Sequence, residues 1–219
     1  MHQYQAMSSR QCLETLMHAL DNKSVCHKFS SAHRTCPSTH NMVTTVHLSC
    51  KGKKIDLQTI YDCTINSTYD RKKFAAITIR IDSPKTTALL FSSGKLVITG
   101  AVCRQMSICA VRSIVCMLNR IFPYEGFRAN SFAIQNIVSN VVIKDLKNID
   151  LTKMYAELSS QCTFQPSIFP GLVLRPDNSP IVLLIFNSSR IVVTGARTYE
   201  DICHGFDSIL PVLSKYFLY

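Results

Sequence analysis

Long apolar runs, paired cysteines and acidic residues are all scarce in this chain of 219 residues. It contains no run of about 18 uninterrupted apolar residues, which argues against a membrane-spanning helix. No charged segment followed by an apolar one opens the chain, which argues against a signal peptide. The ten cysteines include no CxxC pair, so we interpret them as reduced thiols of an intracellular protein.

Sets of catalytic residues are also missing. Histidine is absent between His47 and His204, and no pair of carboxylates recurs in both halves of the chain. Enzymes need a clustered nucleophile, base and orienting group, or a set of metal ligands. One cluster of potential zinc ligands matches no standard spacing, and it consists of Cys26, His27, His33 and Cys36. We therefore predict no catalytic activity, no cofactor and no metal site.

The shortage of acidic residues leaves an unevenly distributed positive charge. The chain has 24 Lys and Arg against 14 Asp and Glu, a formal net charge of +10. Residues 40–130 contain thirteen basic and five acidic residues, whereas residues 131–219 contain seven of each. A basic half indicates a polyanionic partner, with nucleic acid first. A basic surface that only keeps the chain soluble would explain the same charge.

An internal repeat is the strongest pattern that the sequence contains. The segment TTALLFSSGKLVITGA, Thr86–Ala101, returns in altered form as IVLLIFNSSRIVVTGA, Ile181–Ala196, 95 residues later and without a gap. Two copies are too few for a solenoid, which needs about three repeats. The repeat therefore predicts two pseudo-symmetric halves, in which each copy forms a hairpin of two apolar strands. Ser189 replaces the turn glycine Gly94 in the second copy, so we expect a different turn type or backbone strain there.

The hydrophobic periodicity predicts the same series of elements in each half: a strand, a short helix, four strands and a long helix. The two halves together give an α+β fold with about ten antiparallel strands and four helices. The long helices are Arg104–Ile121 and Tyr199–Phe217, and we expect Pro211 to kink or divide the second one. Each long helix should bury one apolar stripe. These stripes are Ile108, Val111, Val115 and Leu118 in the first helix, and Ile202, Phe206, Ile209 and Leu213 in the second.

One face of the predicted sheet has nothing to cover it. Side chains alternate between the two faces along a strand, so the helices can cover the face that contains Ala88, Leu90, Leu96 and Ile98. The opposite face is also apolar, and a large exposed apolar surface marks a partner site. Its residues in the two halves are Val43, Leu89, Phe91, Val97, Val138, Leu184, Phe186 and Val192.

Six long motifs are specific enough to indicate a family: KKFAAITIRI, TTALLFSSGK, ITGA, IQNIV, IFPGL and IVLLIF. They resemble the motifs of the TATA-box-binding protein family over residues 40–217. The resemblance implies a saddle built from two repeats, 40–131 and 132–219, after a divergent leader, 1–39. In that family the helices lie on the convex face, and the curved concave sheet straddles the minor groove of a TATA element.

The resemblance implies a nuclear, DNA-binding general transcription initiation factor. It implies that DNA is bent by insertion of two phenylalanine pairs, Phe74 with Phe91 and Phe169 with Phe186. The implied minor-groove residues are Asn41, Val43, Leu89, Val97, Thr99, Asn136, Val138, Leu184, Val192 and Thr194. The implied phosphate-binding residues are Lys73, Arg80, Lys95, Arg175 and Arg190.

The partners implied by the resemblance are double-stranded DNA, proteins like transcription factors IIA and IIB, and TATA-binding-protein-associated factors. Without DNA, the apolar face offers a surface for a homodimer. The segment FQPSI, Phe164–Ile168, lacks the acidic residues with which the family binds transcription factor IIB, so these contacts are open to change. An alternative function is therefore a relative that keeps the saddle but binds or sequesters transcription factors, with altered or lost TATA specificity.

Overall fold

The computed structural model describes residues 36–51, 54–143 and 148–218. The described chain forms two compact units. Unit 1 contains residues 44–133, and unit 2 contains residues 36–43 and 134–218. Most of the predicted leader, with Cys26, His27 and His33 of the zinc-ligand cluster, lies outside the described residues.

Unit 1 places an antiparallel meander of strands beside one long helix. Its helices are α1 (Leu57–Asp62) and α2 (Arg104–Ile121). Its strands are the second part of β1 (Ser38–Ser49), β2 (Ser67–Thr68), β3 (Ala76–Asp82), β4 (Lys85–Phe91), β5 (Lys95–Ala101) and the first part of β6 (Arg128–Val142). The hydrogen-bonded order is β2-β3-β4-β5-β1.

Unit 2 repeats this arrangement. Its helices are α3 (Leu151–Glu157) and α4 (Tyr199–Leu213). Its sheet runs in the order β6-β11-β10-β9-β8, and the strands after β6 are β8 (Cys162–Thr163), β9 (Leu172–Leu174), β10 (Val182–Ile185) and β11 (Arg190–Ala196). A separate two-stranded sheet pairs β7 (Asn148–Ile149) with β12 (Phe217–Leu218).

The predicted fold class is confirmed. Counted over both units of the described chain, ten strands belong to an antiparallel sheet and four α-helices are present. The prediction of one helix as far as Phe217 is wrong, because α4 continues through Pro211 to Leu213 and a 3-10 turn and β12 then follow. Tertiary contacts explain this end: Asp150 N donates to Tyr216 O at 2.9 Å, and the buried Tyr216 hydroxyl donates to Glu157 at 2.9 Å. None of the helices described is long and apolar enough to cross a membrane.

Each long helix buries one side against its own sheet. The predicted stripe of α4 is confirmed, because Ile202, Phe206, Ile209 and Leu213 are all buried. The predicted stripe of α2 is partly wrong: Val111 and Leu118 are buried, but Ile108 and Val115 are only half-buried. The buried side contains the small residues Ser107 and Ala110 in their place, together with Ile114. Small side chains let the helix approach the sheet closely, and this choice depends on tertiary packing.

The matched turns between the hairpin strands show how serine replaces glycine. Gly94 has φ 86°, and Ser189 keeps the same left-handed conformation with φ 61°. A Cβ atom at Gly94 would clash with the carbonyl oxygen of Leu48. Leu48 N donates to Gly94 O at 2.8 Å, whereas Ile143 N donates to Ser189 O at 3.4 Å. The longer hydrogen bond in unit 2 leaves room for the serine Cβ. Of the two outcomes expected for Ser189, the turn therefore shows backbone strain and not a different turn type.

The substitution Ser189→Gly should therefore stabilise the protein. It removes a left-handed backbone conformation that costs an L-residue about 1–2 kcal/mol, and the flexibility of glycine in the unfolded chain cancels part of this gain. We expect the free energy of unfolding to rise by up to about 1 kcal/mol in urea denaturation. The reverse change, Gly94→Ser, should lower it by about 2–4 kcal/mol, because strain and the clash with Leu48 add. A destabilised Ser189→Gly protein would contradict the strain.

Candidate nucleic-acid interface

The β4–β5 hairpin of unit 1 divides its side chains between two environments. Ala88, Leu90, Leu96 and Ile98 are 0 % exposed in the core that α2 covers. The residues between them are half-buried, and the register pairs Leu89 with Val97 and Thr87 with Thr99. The predicted division between core and uncovered face is confirmed for this hairpin.

Unit 2 has a matching surface. Leu184 pairs with Val192, Val182 pairs with Thr194, and all four are half-buried. The alternate positions Leu183, Ile185, Ile191 and Val193 are fully buried. We give the name open face to a set of half-buried residues in each unit. In unit 1 these are Thr45, Thr78, Thr87, Leu89, Phe91, Val97 and Thr99; in unit 2 they are Asn41, Val43, Asn136, Val138, Asn140, Val173, Val182, Leu184, Phe186, Val192 and Thr194.

Sequence reasoning missed part of the open face. The omitted residues are Thr45, Thr78, Thr87, Asn140, Val173 and Val182. Thr78 pairs directly with Leu89, and Val173 pairs directly with Leu184. Strand alternation contained the signal, because each of these residues is two positions along the chain from another residue of the open face or from a predicted phosphate-binding residue.

Each unit has a pair of phenylalanine rings next to its open face. The ring centroids of Phe74 and Phe91 are 6.0 Å apart with an interplanar angle of 67°. Those of Phe169 and Phe186 are 5.7 Å apart at 69°. These edge-to-face geometries are favourable for aromatic pairs. Phe74 is 47 % exposed and Phe169 is 36 % exposed, so each pair presents one ring to solvent.

Glycine at position 171 allows the second ring pair to close. A Cβ atom there would come within 2.7 Å of Phe169 Cε1 and 3.0 Å of Phe186 Cε1. The first distance is shorter than real Cβ contacts, and the second is tighter than nearly all of them. The motif IFPGL therefore positions a ring and also leaves it the space that it needs.

A β-bulge fixes the amide of Asn136 in unit 2. The pairing of β11 with β6 shifts between Val193 and Ala196. Over this stretch, which includes Thr194 and Gly195, β11 contains one residue more than β6, and this extra residue is the bulge. Gly195 N donates to Asn136 Oδ1 at 2.9 Å, and Asn136 Nδ2 lies 3.0 Å from Thr194 Oγ1. The backbone N–H identifies Oδ1 as the acceptor, so the donor group Nδ2 retains a second hydrogen for an external acceptor.

The predicted phosphate-binding residues are all exposed. By strand alternation, four of them lie on the same side of their strands as the open face. Lys95 and Arg190 begin β5 and β11, Arg175 directly follows β9, and Arg80 lies inside β3. Lys73 precedes the ring of Phe74 and forms an ion pair of 3.6 Å with Asp70. An exposed pair of this kind is weak, about 0–1 kcal/mol, and therefore does not prevent Lys73 from binding another anion.

The described residues contain no group of three or more His, Cys, Asp or Glu side chains that could hold a metal ion. The open faces instead combine apolar side chains with a few amides and hydroxyls, and cations lie at their edges. Such a surface can bind an extended, negatively charged partner that also presents apolar groups.

A family model matches the chain twice. Residues 36–121 and 131–216 each match the model described as transcription factor TFIID, or TATA-binding protein. The two matches agree with the internal repeat and cover most of the chain.

Curated relatives and a solved structure are similar to the chain over most of its length. A TATA-box-binding protein of Acanthamoeba castellanii is 42 % identical over 182 residues, which cover 82 % of this chain and 67 % of that protein. TATA-box-binding protein 1 of Arabidopsis thaliana is 42 % identical over 183 residues, which cover 82 % of this chain and 86 % of that protein. The solved structure titled Methanococcus jannaschii TBP has a TM-score of 0.69 at 27 % identity, and the match covers 82 % of this chain and 99 % of that one.

Proposed function

The chain belongs to the TATA-binding protein family, and from this premise we propose that it binds TATA-like elements through its open faces and bends the DNA. It is a TATA-binding general transcription factor and not an enzyme. In this role it nucleates assembly of the preinitiation complex in the nucleus. The proposal extends the family assignment to the residues that make each contact.

The observation that carries the proposal is the composition of the open faces. The minor groove offers only acceptors at A·T pairs, adenine N3 and thymine O2, whereas G·C pairs add the guanine amino donor. A binder of A·T pairs thus needs a few donors and much apolar surface. The Asn136 amide, oriented by Gly195 and Thr194, supplies a donor of the required kind. The side chains of Val138, Leu184 and Val192 are apolar and offer no acceptor to a guanine amino group.

The two ring pairs supply the wedges for bending. Insertion of apolar side chains between base steps unstacks them and kinks the duplex by about 20–90°, at a cost of a few kcal/mol per step. The exposed rings of Phe74 and Phe169 are free to enter a base step, and Phe91 and Phe186 support them from the side. TATA-binding protein is itself the established example of this binding mode, and flexible TA steps lower its cost.

The cations at the edges supply the electrostatic part of the affinity. If all five predicted residues (Lys73, Arg80, Lys95, Arg175 and Arg190) neutralise a phosphate, the logarithm of the binding constant should fall with the logarithm of salt concentration with a slope of about −4 to −5.

Protein partners complete the proposed role. We propose contacts with proteins like transcription factors IIA and IIB and with TATA-binding-protein-associated factors. The segment Phe164–Ile168 is uncharged, so a partner that binds there would use apolar and hydrogen-bonding contacts. Without DNA, the open faces offer an apolar surface through which two copies can pair.

A binding titration with fluorescent duplexes tests the function. We expect a TATA-containing duplex to bind at least about 100-fold more tightly than a G·C-rich duplex of equal length, and energy transfer between end labels should report a bend. Equal affinity for the two duplexes, without bending, would contradict the proposal. That result would favour the protein-interaction module that the uncharged segment Phe164–Ile168 suggests.

A further inference from the structure

The connection between β1 and α1 contains lysines that none of the contacts proposed above uses. Residues 49–54 read SCKGKK, with three lysines and no acidic residue. The matched connection in unit 2, residues 144–148, reads KDLKN and is one residue shorter. Lys51 and Lys54 are exposed, and residues 52 and 53 between them lie outside the described residues. We call Lys51 and Lys54, together with the exposed Lys95, the basic rim of unit 1.

Two backbone hydrogen bonds place this connection beside the turn between β4 and β5. Leu48 N, before the connection, donates to Gly94 O at 2.8 Å. Ile55 N, after the connection, donates to Ser92 O at 2.9 Å. Ser92 directly follows Phe91, which belongs to the ring pair of unit 1. The basic rim therefore borders this ring pair.

The carboxylates near the basic rim do not pair with its lysines. Asp56 caps α1, because its carboxylate accepts from Gln58 N at 3.0 Å and from Thr59 Oγ1 at 2.6 Å. Glu125 contacts the connection through its backbone, where its carbonyl oxygen accepts from Lys51 N at 3.1 Å. Among the residues that the structure describes, neither Lys51 nor Lys54 forms an ion pair. Their ammonium groups are therefore available to an external anion.

The charge beside the ring pair differs between the two units. Residues 71–73, directly before Phe74, read RKK and are all exposed. The matched residues 166–168, directly before Phe169, read PSI and carry no charge. In unit 1 each ring of the pair thus adjoins cations, since the basic rim borders the other ring, Phe91.

The basic rim lies beyond the edge of the open face. Phe91 is the last residue of β4, so the turn that follows it is outside the sheet. If the rings of unit 1 enter a base step at this edge, the base pairs past that step no longer face the sheet. Their phosphates still carry about one charge per 1.7 Å of duplex axis. Lysines at this edge can neutralise these phosphates without reading any base.

We propose that Lys51 and Lys54 bind the phosphate backbone of the duplex that flanks the element, beyond the kink at the ring pair of unit 1. The bound group is double-stranded DNA of any sequence, because phosphate contacts carry no sequence information. This inference rests on the proposed minor-groove binding and adds to it a contact outside the element.

Uncharged linkages in the flanking DNA test this contact. The probes are two TATA-containing duplexes, one with ordinary flanks and one with methylphosphonate linkages in about four base pairs on both sides of the element. Because both flanks are changed, the orientation of the protein does not affect the comparison. At 50 mM salt, Lys51→Gln/Lys54→Gln should bind the ordinary duplex about 10-fold more weakly than the wild type does. On neutral flanks the difference should be less than about 2-fold, and this shared affinity shows that the variant folds.

The salt dependence gives a second measurement of the same contact. Each lost phosphate contact makes the slope of log affinity against log salt shallower by about 0.9, so the variant should differ from the wild type by about 1.8. The matched control is Arg120→Gln/Lys215→Gln, which removes two exposed cations near the ends of α2 and α4. We expect this control to lose less than about 3-fold, because charges beyond about 10 Å are screened at 0.1 M salt.

Three outcomes would overturn the inference. The first is an equal cost of Lys51→Gln/Lys54→Gln on ordinary and neutral flanks, since the lysines would then act away from the flanking phosphates. The second is a variant with the affinity and salt slope of the wild type on ordinary flanks. The third is an equal loss in the control. Failure of the proposed function is distinguishable from all three, because the wild-type protein would then not prefer the TATA-containing duplex to a G·C-rich one.

Discussion

Replacement of Phe74 and Phe91 by alanine should abolish DNA bending at unit 1 and lower the affinity for a TATA duplex at least about 100-fold. Truncation of a buried aromatic anchor costs about 2 kcal/mol or more, and every 1.4 kcal/mol is a factor of ten in affinity. The two rings touch edge to face beside the open face, so their joint removal takes away the whole wedge. Fluorescence titration gives the affinity, and energy transfer between the duplex ends gives the bend.

Tyr124→Ala is the matched control for this prediction. Tyr124 is an aromatic residue that is 87 % exposed in the loop after α2, outside the sheet, so its removal should change neither affinity nor bending. Phe74 is 47 % exposed and Phe91 is half-buried in β4, so we expect some loss of stability in the double variant, and thermal unfolding should show that it still folds. Full bending by a folded Phe74→Ala/Phe91→Ala protein would contradict the role of the rings as wedges.

The substitution Asn136→Asp should weaken TATA binding by about 100-fold or more. The new carboxylate still accepts the hydrogen bond from Gly195 N, so the bulge is preserved. It has no donor for a groove acceptor, and it places a negative charge between the phosphate strands of the duplex. Unpaired or like charges in an interface cost several kcal/mol, and this cost should appear in the binding constant rather than in the free energy of unfolding.

Gln105→Glu separates this local effect from the change of net charge. Gln105 is exposed in the first turn of α2, away from the open face, and the substitution adds the same single negative charge. We expect a loss of less than about 3-fold, since charges beyond about 10 Å are screened at 0.1 M salt. An equal loss in the two variants would show that Asn136 acts through net charge alone.

Strand alternation made the two faces of the sheet predictable. The run Leu89, Leu90, Phe91 has no polar residue to mark its outer side, yet its period of two separated Leu90 from its two neighbours. The family resemblance then assigned Leu90 to the core and the neighbours to the open face, as the structure has them. The repeat added a second, independent reading of the same pattern. It also predicted the fold class, because two copies of strand, helix and hairpin leave few ways to cover the sheet.

Features that depend on tertiary contacts escaped prediction. The side of α2 that is buried includes Ser107 and Ala110 in place of Ile108 and Val115, since the helix needs small residues where it meets the sheet. The strand β12 leaves the helical pattern because Tyr216 bonds to Glu157 and to Asp150. The bulge that orients Asn136 was equally hidden, because Thr-Gly in a strand indicates a bulge only once its partner strand is known.

The central claim is that the open faces read the minor groove, and duplexes with inosine·cytosine pairs test it most directly. Inosine lacks the guanine amino group, so these pairs resemble A·T in the minor groove and G·C in the major groove. We predict that an element with every A·T pair replaced by inosine·cytosine binds within about 5-fold of the A·T element and at least about 100-fold more tightly than the G·C element. Binding of the inosine·cytosine element as weak as that of the G·C element would contradict the claim.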